Sequence, residues 1–569
     1  MDPTTVWEHL QCRTEDVEVL TQQLEINHVV ARLLALRGLN SVDSAARFLN
    51  PSLDQLHDPF RLTDLAEAVD RLLVAIDQGE RIAIHGDYDV DGVTSTVIVR
   101  RMLELLGGKV VHFIPERLRD GYGLQVKAIE RLQSTGVTVI VAVDCGIRSH
   151  EAALRAKELR VDLIIADHHE PALTLPPGFA VVNPRRSDCQ YPDKDLAGVG
   201  VALKLVQGLC VKSNNQRLLA GFIKLAAIGT VADVVPLRGE NRAIARLGLE
   251  QLTNGPNTVG LQALLDSCGL AGKRIGSYEV GFLIAPRVNA AGRMSSPDIA
   301  ARLLLATKSE MAEEARGLAE CLSLQNVLRR EEEARILEEA RAVIKESPKM
   351  ESQNILVVWA NGWHRGVIGI VASKLTDEFC RPAIVLSVEG DTAHGSGRSV
   401  RGFDLLGALD ECRRYFHRFG GHKQAAGMVV RTECLEDFRR QITNYANTHL
   451  RSEDLVRRVQ IDAALPLEDI SNQLVSDLRR LEPFGVGNSR PVFFASAVEV
   501  IEGPRIVKDR HLSMTVRQGG RRFRAMAWRA AKRADFIRAH LGSLDLAFSL
   551  SENTYRGNTS VELSIADVK

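Results

Sequence analysis

The sequence predicts a multidomain α/β chain: a parallel-sheet domain, a long connecting helix, a second α/β unit and a small C-terminal β-barrel. Three observations carry this reading. Strand and helix patterns alternate between residues 81 and 183. A charged helical pattern without proline spans 308–346. Five short strand patterns at close spacing crowd 492–565. At 569 residues the chain also exceeds one ordinary core, since domains typically hold roughly 100–150 residues.

The elements follow in order. Residues 1–60 form a mixed N-terminal segment, with turns at Asn50-Pro51 and Asp58-Pro59. Leu65, Val69, Leu72, Leu73 and Ile76 recur at helical spacing within 62–77, and Gly79 ends that helix. Strands are expected at 81–85, 110–114, 137–143, 162–166 and 180–183, with helices at 94–106, 124–133 and 149–159 between them. Such alternation implies a parallel sheet covered on both faces, and ligands then bind beyond the carboxyl ends of its strands. Residues 200–300 are mostly helical. The helix at 308–346 would span about 55 Å and reads as a solvated linker. A second α/β unit has strands at 355–359 and 383–386 around a helix at 367–375. Strands at 492–494, 512–516, 522–528, 545–550 and 561–565 suggest the barrel. The units are placed at 1–60, 61–305, 306–350, 351–450 and 456–569.

Composition bounds the function. Apolar residues make up 45% and charged residues 25%, as in soluble globular proteins. Lys+Arg and Asp+Glu are both 72, which excludes a uniformly basic nucleic-acid coat and an acidic disordered chain. No secretory signal and no apolar run of about 18 residues is readable. Nine scattered cysteines never form C-x-x-C, so the expected setting is a reducing cytoplasm, without disulfides or structural zinc.

The chemistry gathers at strand ends. His85-Gly-Asp87-Tyr-Asp89-Val-Asp91 follows the first sheet strand. Three aspartates within five residues repel one another unless a cation neutralises them. Asp144 ends another strand, and Asp167-His168-His169 ends a third. Asp233 lies among apolar residues, where a carboxylate needs a partner or a metal. One strand-end Asp is explained as a helix cap; three strand ends aimed at the same sheet edge are not. His85, Asp89, Asp91, Asp144, His168 and Asp233 could hold two divalent ions, and oxygen-rich ligands suit Mn²⁺ or Mg²⁺. Four carboxylates then balance two dications. Neither G-x-S-x-G nor Walker A is present, which leaves metal-assisted phosphoester hydrolysis.

This ordered set resembles the four motifs of the DHH phosphoesterase superfamily. Gly420-Gly-His422, with Gly395-Ser-Gly-Arg-Ser399 upstream, resembles the DHH-associated domain, DHHA1. Leu196–Ala202, Pro286–Arg293, Leu481–Asn488, Asn553–Gly557 and Val561–Asp567 resemble the bacterial RecJ family. The resemblance implies a DHH domain, a DHHA1 domain and a C-terminal OB fold. It implies a metal-dependent 5′→3′ exonuclease on single-stranded DNA, acting in recombination and repair. It also implies the six metal ligands above. Asp167 would orient the histidine pair, His169 would sit beside the scissile phosphate, and His422 would close the cleft from the second domain. Arg117, Ser396 and Arg398 would capture a 5′-phosphate, while Arg287, Asn289 and Arg293 would line the path of the strand. Asp87 is left as a turn or cap, and Cys145 is too soft to ligate a hard cation. A single-stranded-DNA-binding protein and a helicase are the expected protein partners; no membrane is expected.

Charge adds an independent point. Residues 501–540 hold eleven Lys or Arg against three acids, +8 in a neutral chain, with Phe523 and Trp528 interleaved. Within a barrel pattern this suits a single-strand groove. Two other readings stand beside it. One is a DHH phosphatase acting on short oligoribonucleotides or small phosphoesters, for which the basic barrel is surplus. The other is a non-catalytic DNA-binding scaffold, which the intact ligand set disfavours.

Overall fold

The computed structural model describes residues 5–117, 119–121, 123–347, 350, 352–555 and 558–569. Leu118 and Tyr122 of the 115–123 segment, and Arg556-Gly557 of the C-terminal motif, lie outside the described residues.

The first sheet has five strands, all parallel, in the order Lys109–Phe113, Arg81–Gly86, Val137–Val143, Asp162–Ala166, Ala180–Val182. Its central strands are mostly apolar because both faces are covered. Ile82, Ile84, Val139, Val141 and Val143 enter one core, and Ala83, Ile140, Ala142 and Ile165 enter the opposite one, as alternation along a strand requires. From Arg81–Gly86 the chain first goes outward to Lys109–Phe113, then crosses back to Val137–Val143. The order therefore reverses between the strand that ends at His85-Gly86 and the strand that precedes Asp144. A crevice opens at such a switch point.

The helix after the first strand starts earlier than its periodicity predicts, at Val90, because Asp89 caps it by accepting from the Gly92 N–H at 3.1 Å. Asp91 is thereby drawn into the first helical turn. The long helix, Ala312–Glu346, is not the solvated linker expected. Ala315, Ala319 and Leu322 are buried in the core of the first lobe, and Ile336, Leu337, Ala340 and Ile344 in that of the second. It is a strut packed near both ends.

The second lobe has a mixed five-stranded sheet in the order Phe416–His422, Ala425–Arg431, Thr392–Arg398, Ala383–Glu389, Leu356–Asn361. Only the last two of these strands are parallel to each other. The helix Ile368–Phe379 covers one face and Leu435–His449 the other.

The C-terminal strands Phe493–Val507, His511–Gln518, Arg521–Ala527, Leu544–Tyr555 and Asn558–Val568 form a barrel, closed where Phe493 pairs with Phe548. Its first strand has 15 residues and breaks register between Val500 and Arg505, so it bends to serve two neighbours. The N-terminal segment packs on this barrel. Val6–His9 runs parallel to Arg458–Ile461, and Leu20, Leu33 and Leu34 share a core with Phe493 and Phe548. All nine cysteines are free. Among the described residues, no helix is long and apolar enough to cross a membrane.

Candidate metal centre

His85, Asp87, Asp144, Asp167 and His168 stand at or just beyond the carboxyl ends of three adjacent strands. Asp91 comes from the first turn of the helix Val90–Leu105, and Asp233 caps the end of the helix Ile223–Ala232. Apolar packing beneath the sheet edge brings these residues together and buries all of them but Asp233, which is half-buried. His85 and Asp91 are at most 1% exposed, Asp144 2% and His168 8%.

Three groups of ligand atoms lie within 4.8 Å of one another: Asp144, His168 and His169; Asp91, His168 and Asp233; and Asp87, Asp89 and Asp144. His168 Nε2 is 3.3 Å from Asp144 Oδ1, 3.7 Å from Asp233 Oδ2 and 3.9 Å from Asp91 Oδ2. His85 stands outside these groups; its Nδ1 faces Cys145 Sγ at 3.5 Å. Asp87, left as a turn residue by its sequence, is buried within the acidic group while its Oδ1 accepts from the Tyr88 N–H at 2.8 Å.

The protein itself leaves this cluster unbalanced. His85 Nε2, His168 Nε2, Asp144 Oδ1 and Asp233 Oδ2 are buried and make no hydrogen bond, a costly state for polar atoms. Burial, then mutual repulsion, raises the carboxyl pKa of Asp87 to about 8, of Asp91 to about 7 and of Asp233 to about 9. Asp144 is raised by the same causes. Burial lowers His85 and His168 to about 4, keeping both imidazoles neutral. Neutral imidazoles beside crowded, unsatisfied carboxylates are the donor set of a divalent-cation site.

Surrounding groups hold the donors in place. The amides of Gly198 and Val199, opening the helix Gly198–Lys212, donate to Asp91 at 2.7 and 2.8 Å. A side chain at 198 is impossible there, since a Cβ would lie 2.3 Å from Asp144 Oδ1. Asp167 Oδ1 accepts from the His168 and His169 amides and from His169 Nδ1 at 2.7 Å, and its Oδ2 accepts from the Ile147 amide. Burial opposes ionisation of Asp167, but these donors outweigh it and bring its pKa down to about 2. Burial would likewise lower His169, yet the bond to Asp167 prevails and raises it.

A second constellation joins the two lobes. Arg293 Nη1 donates to the Gly366 carbonyl at 2.8 Å. Gly366 lies just before the helix Ile368–Phe379. Within its first turn Gly369 touches the Ser396–Arg398 pair; a Cβ there would be 3.0 Å from Ser396 Oγ. Arg398 Nη1 donates to Ser396 Oγ at 3.1 Å and to the Gly397 carbonyl at 2.8 Å. Arg117 lies 5.4 Å from the Tyr88 ring centroid, on the metal-site loop. Burial, then the proximity of Arg117, depresses both Arg398 and Arg293, the latter to about 10. Guanidinium groups from two lobes, a hydroxyl and a helix N-terminus are groups that suit an anion.

Other residues meet different surroundings from those expected. The Arg287 guanidinium, expected along the path of the strand, donates to the Leu283 and Ser267 carbonyls and to Ser323 Oγ, tying helices together. Asn289 accepts from the Val90 amide at 3.1 Å, bracing the helix that carries Asp91. His422, expected to close the cleft, is exposed at the tip of the hairpin Phe416–Arg431, opposite Ala425, which pairs with Arg398. On the barrel, Phe523 is buried in the core and cannot stack on a base. Trp528 is 59% exposed and meets His511 edge-on at 5.0 Å. Lys508, Arg510, Arg529 and Lys532 are exposed near it and have no ion pair among the described residues, whereas Arg517, Arg524, Arg533 and Arg538 are paired with acids.

Known proteins resemble this chain in domain order and fold. Residues 81–230 match the DHH family N-terminal domain, 352–448 the DHHA1 domain and 461–567 the RecJ OB domain. The single-stranded-DNA-specific exonuclease RecJ of Salmonella typhimurium is 32% identical over 577 residues, covering 98% of each chain. That of Bacillus subtilis is 40% identical over 90% of this chain, which spans 64% of that relative's length. The crystal structure of RecJ in complex with Mn²⁺ from Thermus thermophilus superposes with a TM-score of 0.84 at 32% identity, over 99% of this chain and 79% of that one. A structure of the same protein with Mg²⁺ gives 0.78. With its three domain matches in order and near full-length similarity to the Salmonella protein, the chain belongs to the RecJ family of single-stranded-DNA-specific exonucleases.

Proposed function

We propose that this chain is a metal-dependent exonuclease that removes nucleotides from the 5′ end of single-stranded DNA, in recombination and repair. The observation that carries the reading is the set of four orphaned, buried donor atoms on His85, His168, Asp144 and Asp233 at the sheet's switch point. His85, Asp89, Asp91, Asp144, His168 and Asp233 would hold two divalent ions, Mn²⁺ or Mg²⁺, with Asp87 beside them. When bound, such a pair activates a water and offsets charge on the attacking and leaving oxygens of a phosphodiester.

The chain's own residues supply orientation. Asp167 keeps a proton on His169 Nδ1, which suits His169 to stabilise negative charge on the scissile phosphate. Arg117, Ser396 and Arg398 would grip a terminal 5′-phosphate, which offers more charge and more free oxygens than an internal diester. That preference sets the polarity. The exposed Trp528 and its basic neighbours would hold the strand farther along by stacking and counterion release. This surface disfavours a phosphatase limited to short oligoribonucleotides, and the complete donor set disfavours a binding scaffold. A helicase and a single-stranded-DNA-binding protein would supply and present the strand. Nine free thiols suit a reducing cytoplasm.

The test is digestion of 5′-labelled and 3′-labelled single strands, with Mn²⁺ and with chelator. Mononucleotides should appear first from the 5′ label, and chelator should stop their release. First release from the 3′ label would reverse the polarity; turnover confined to dinucleotides would favour the phosphatase reading.

A further inference from the structure

Asn241 is fully buried, in the first turn of the helix Gly239–Asn254, and touches none of the candidate ligands directly. Its Nδ2 donates to the Asp195 carbonyl at 2.6 Å and to the Pro236 carbonyl at 3.2 Å. Its Oδ1 accepts from the Ala197 amide at 3.4 Å. One amide therefore ties together two loops that are distant in sequence.

Both loops serve the metal centre. Just beyond Ala197, the Gly198 and Val199 amides grip Asp91 at 2.7 and 2.8 Å. Leu196, between the two Asn241 contacts on that loop, has its backbone beside His168, whose Nε2 stays bare. The second loop leads back from Pro236 to Asp233, which has an orphaned Oδ2. Loops carrying such donors are defined only if something fixes their separation. The same loop also meets the 481–488 segment that precedes the barrel, where the Leu237 amide donates to the Val486 carbonyl at 2.8 Å.

We propose that Asn241 is a positioning residue that sets the geometry of the metal centre, fixing the separation of Asp233 from the Asp91–His168 pair. The inference rests on the metal reading of this site. Outer hydrogen-bonding partners of this kind typically change metal affinity about 10- to 100-fold.

The test compares wild type with Asn241→Asp, Asn241→Ala and Asn241→Ser by Mn²⁺ titration and by thermal melting with and without Mn²⁺. Asn241→Asp keeps the shape and removes both N–H donors. The expected result is Mn²⁺ binding weakened about 10- to 100-fold and a smaller Mn²⁺-induced rise in Tm, with exonuclease activity recovered at high Mn²⁺. Wild-type Mn²⁺ affinity in any folded variant would overturn the proposal, even if its Tm falls equally with and without metal. Failure of all three variants to fold at saturating Mn²⁺ would overturn it too, assigning Asn241 to folding alone. If the wild type itself binds no Mn²⁺, the metal reading fails before any variant is compared.

Discussion

Asp91 and Gly198 lie 107 positions apart, yet the Gly198 amide donates to Asp91 Oδ2 at 2.7 Å, and the Cα of Gly198 leaves no room for a Cβ beside Asp144. The N-termini of two helices meet at that contact, beside the strand-end Asp144. Gly198→Ala must displace either the Asp144 carboxylate or the helix start. Shifts of this size typically cost about a hundredfold in rate, so hydrolysis should fall at least that far. Steady-state cleavage of a single strand, beside a melting curve showing a folded protein, checks this.

Asp144→Ala and Asp233→Ala each remove one orphaned donor. Each should abolish hydrolysis while largely sparing strand binding, because the barrel surface lies elsewhere. A tenth of wild-type turnover in the Asp144 variant would take that residue out of the metal centre.

Metal-free protein should lose stability as pH rises. Asp87, Asp91 and Asp233 have folded pKa values near 8, 7 and 9, against about 3.9 for an unfolded Asp. The folded state thus binds the extra protons. Its stabilisation is full below about pH 4 and is lost as pH climbs through 7 to 9. Bound Mn²⁺ favours the ionised forms, so the Tm gain on adding it should grow over the same range. Melting in chelator and in Mn²⁺ between pH 6 and 9 tests both signs; equal slopes would contradict the burial of these acids.

Arg398→Ala should lower the preference for a 5′-phosphate over a 5′-hydroxyl by roughly ten- to hundredfold, the worth of one charge-assisted contact. Matched strands differing only at that end separate this from a general loss of activity, which would leave their ratio unchanged.

Removing the barrel near residue 455 is a poor test of strand holding, because it strips the cover from the N-terminal helices and from Val6–His9. Alanines at Lys508, Arg510, Arg529 and Lys532 keep the fold. They should flatten the salt dependence of binding by up to about 3 in log–log slope. Trp528→Ala should weaken binding by about 1–3 kcal/mol with little change in slope. Unchanged slope and affinity would place the strand on another face.

Local sequence was enough to establish the parallel sheet, the strand ends carrying His85, Asp144 and Asp167-His168-His169, and the closing barrel. These depend on alternation of apolar residues and on Asp placed where strands stop, which a chain displays without folding. Folding alone settled what each side chain meets. Arg287, Asn289 and Arg293 share one helix and one motif, yet they serve helix packing, the Val90 amide and the Gly366 carbonyl respectively. Rotation about a helix axis sends neighbouring positions to different partners, and no local pattern records which partners stand there. Asp87 and Asn241 escape a reading of the sequence for the same reason: an aspartate in a turn and an asparagine early in a helix look ordinary until burial removes their water and distant loops supply their contacts.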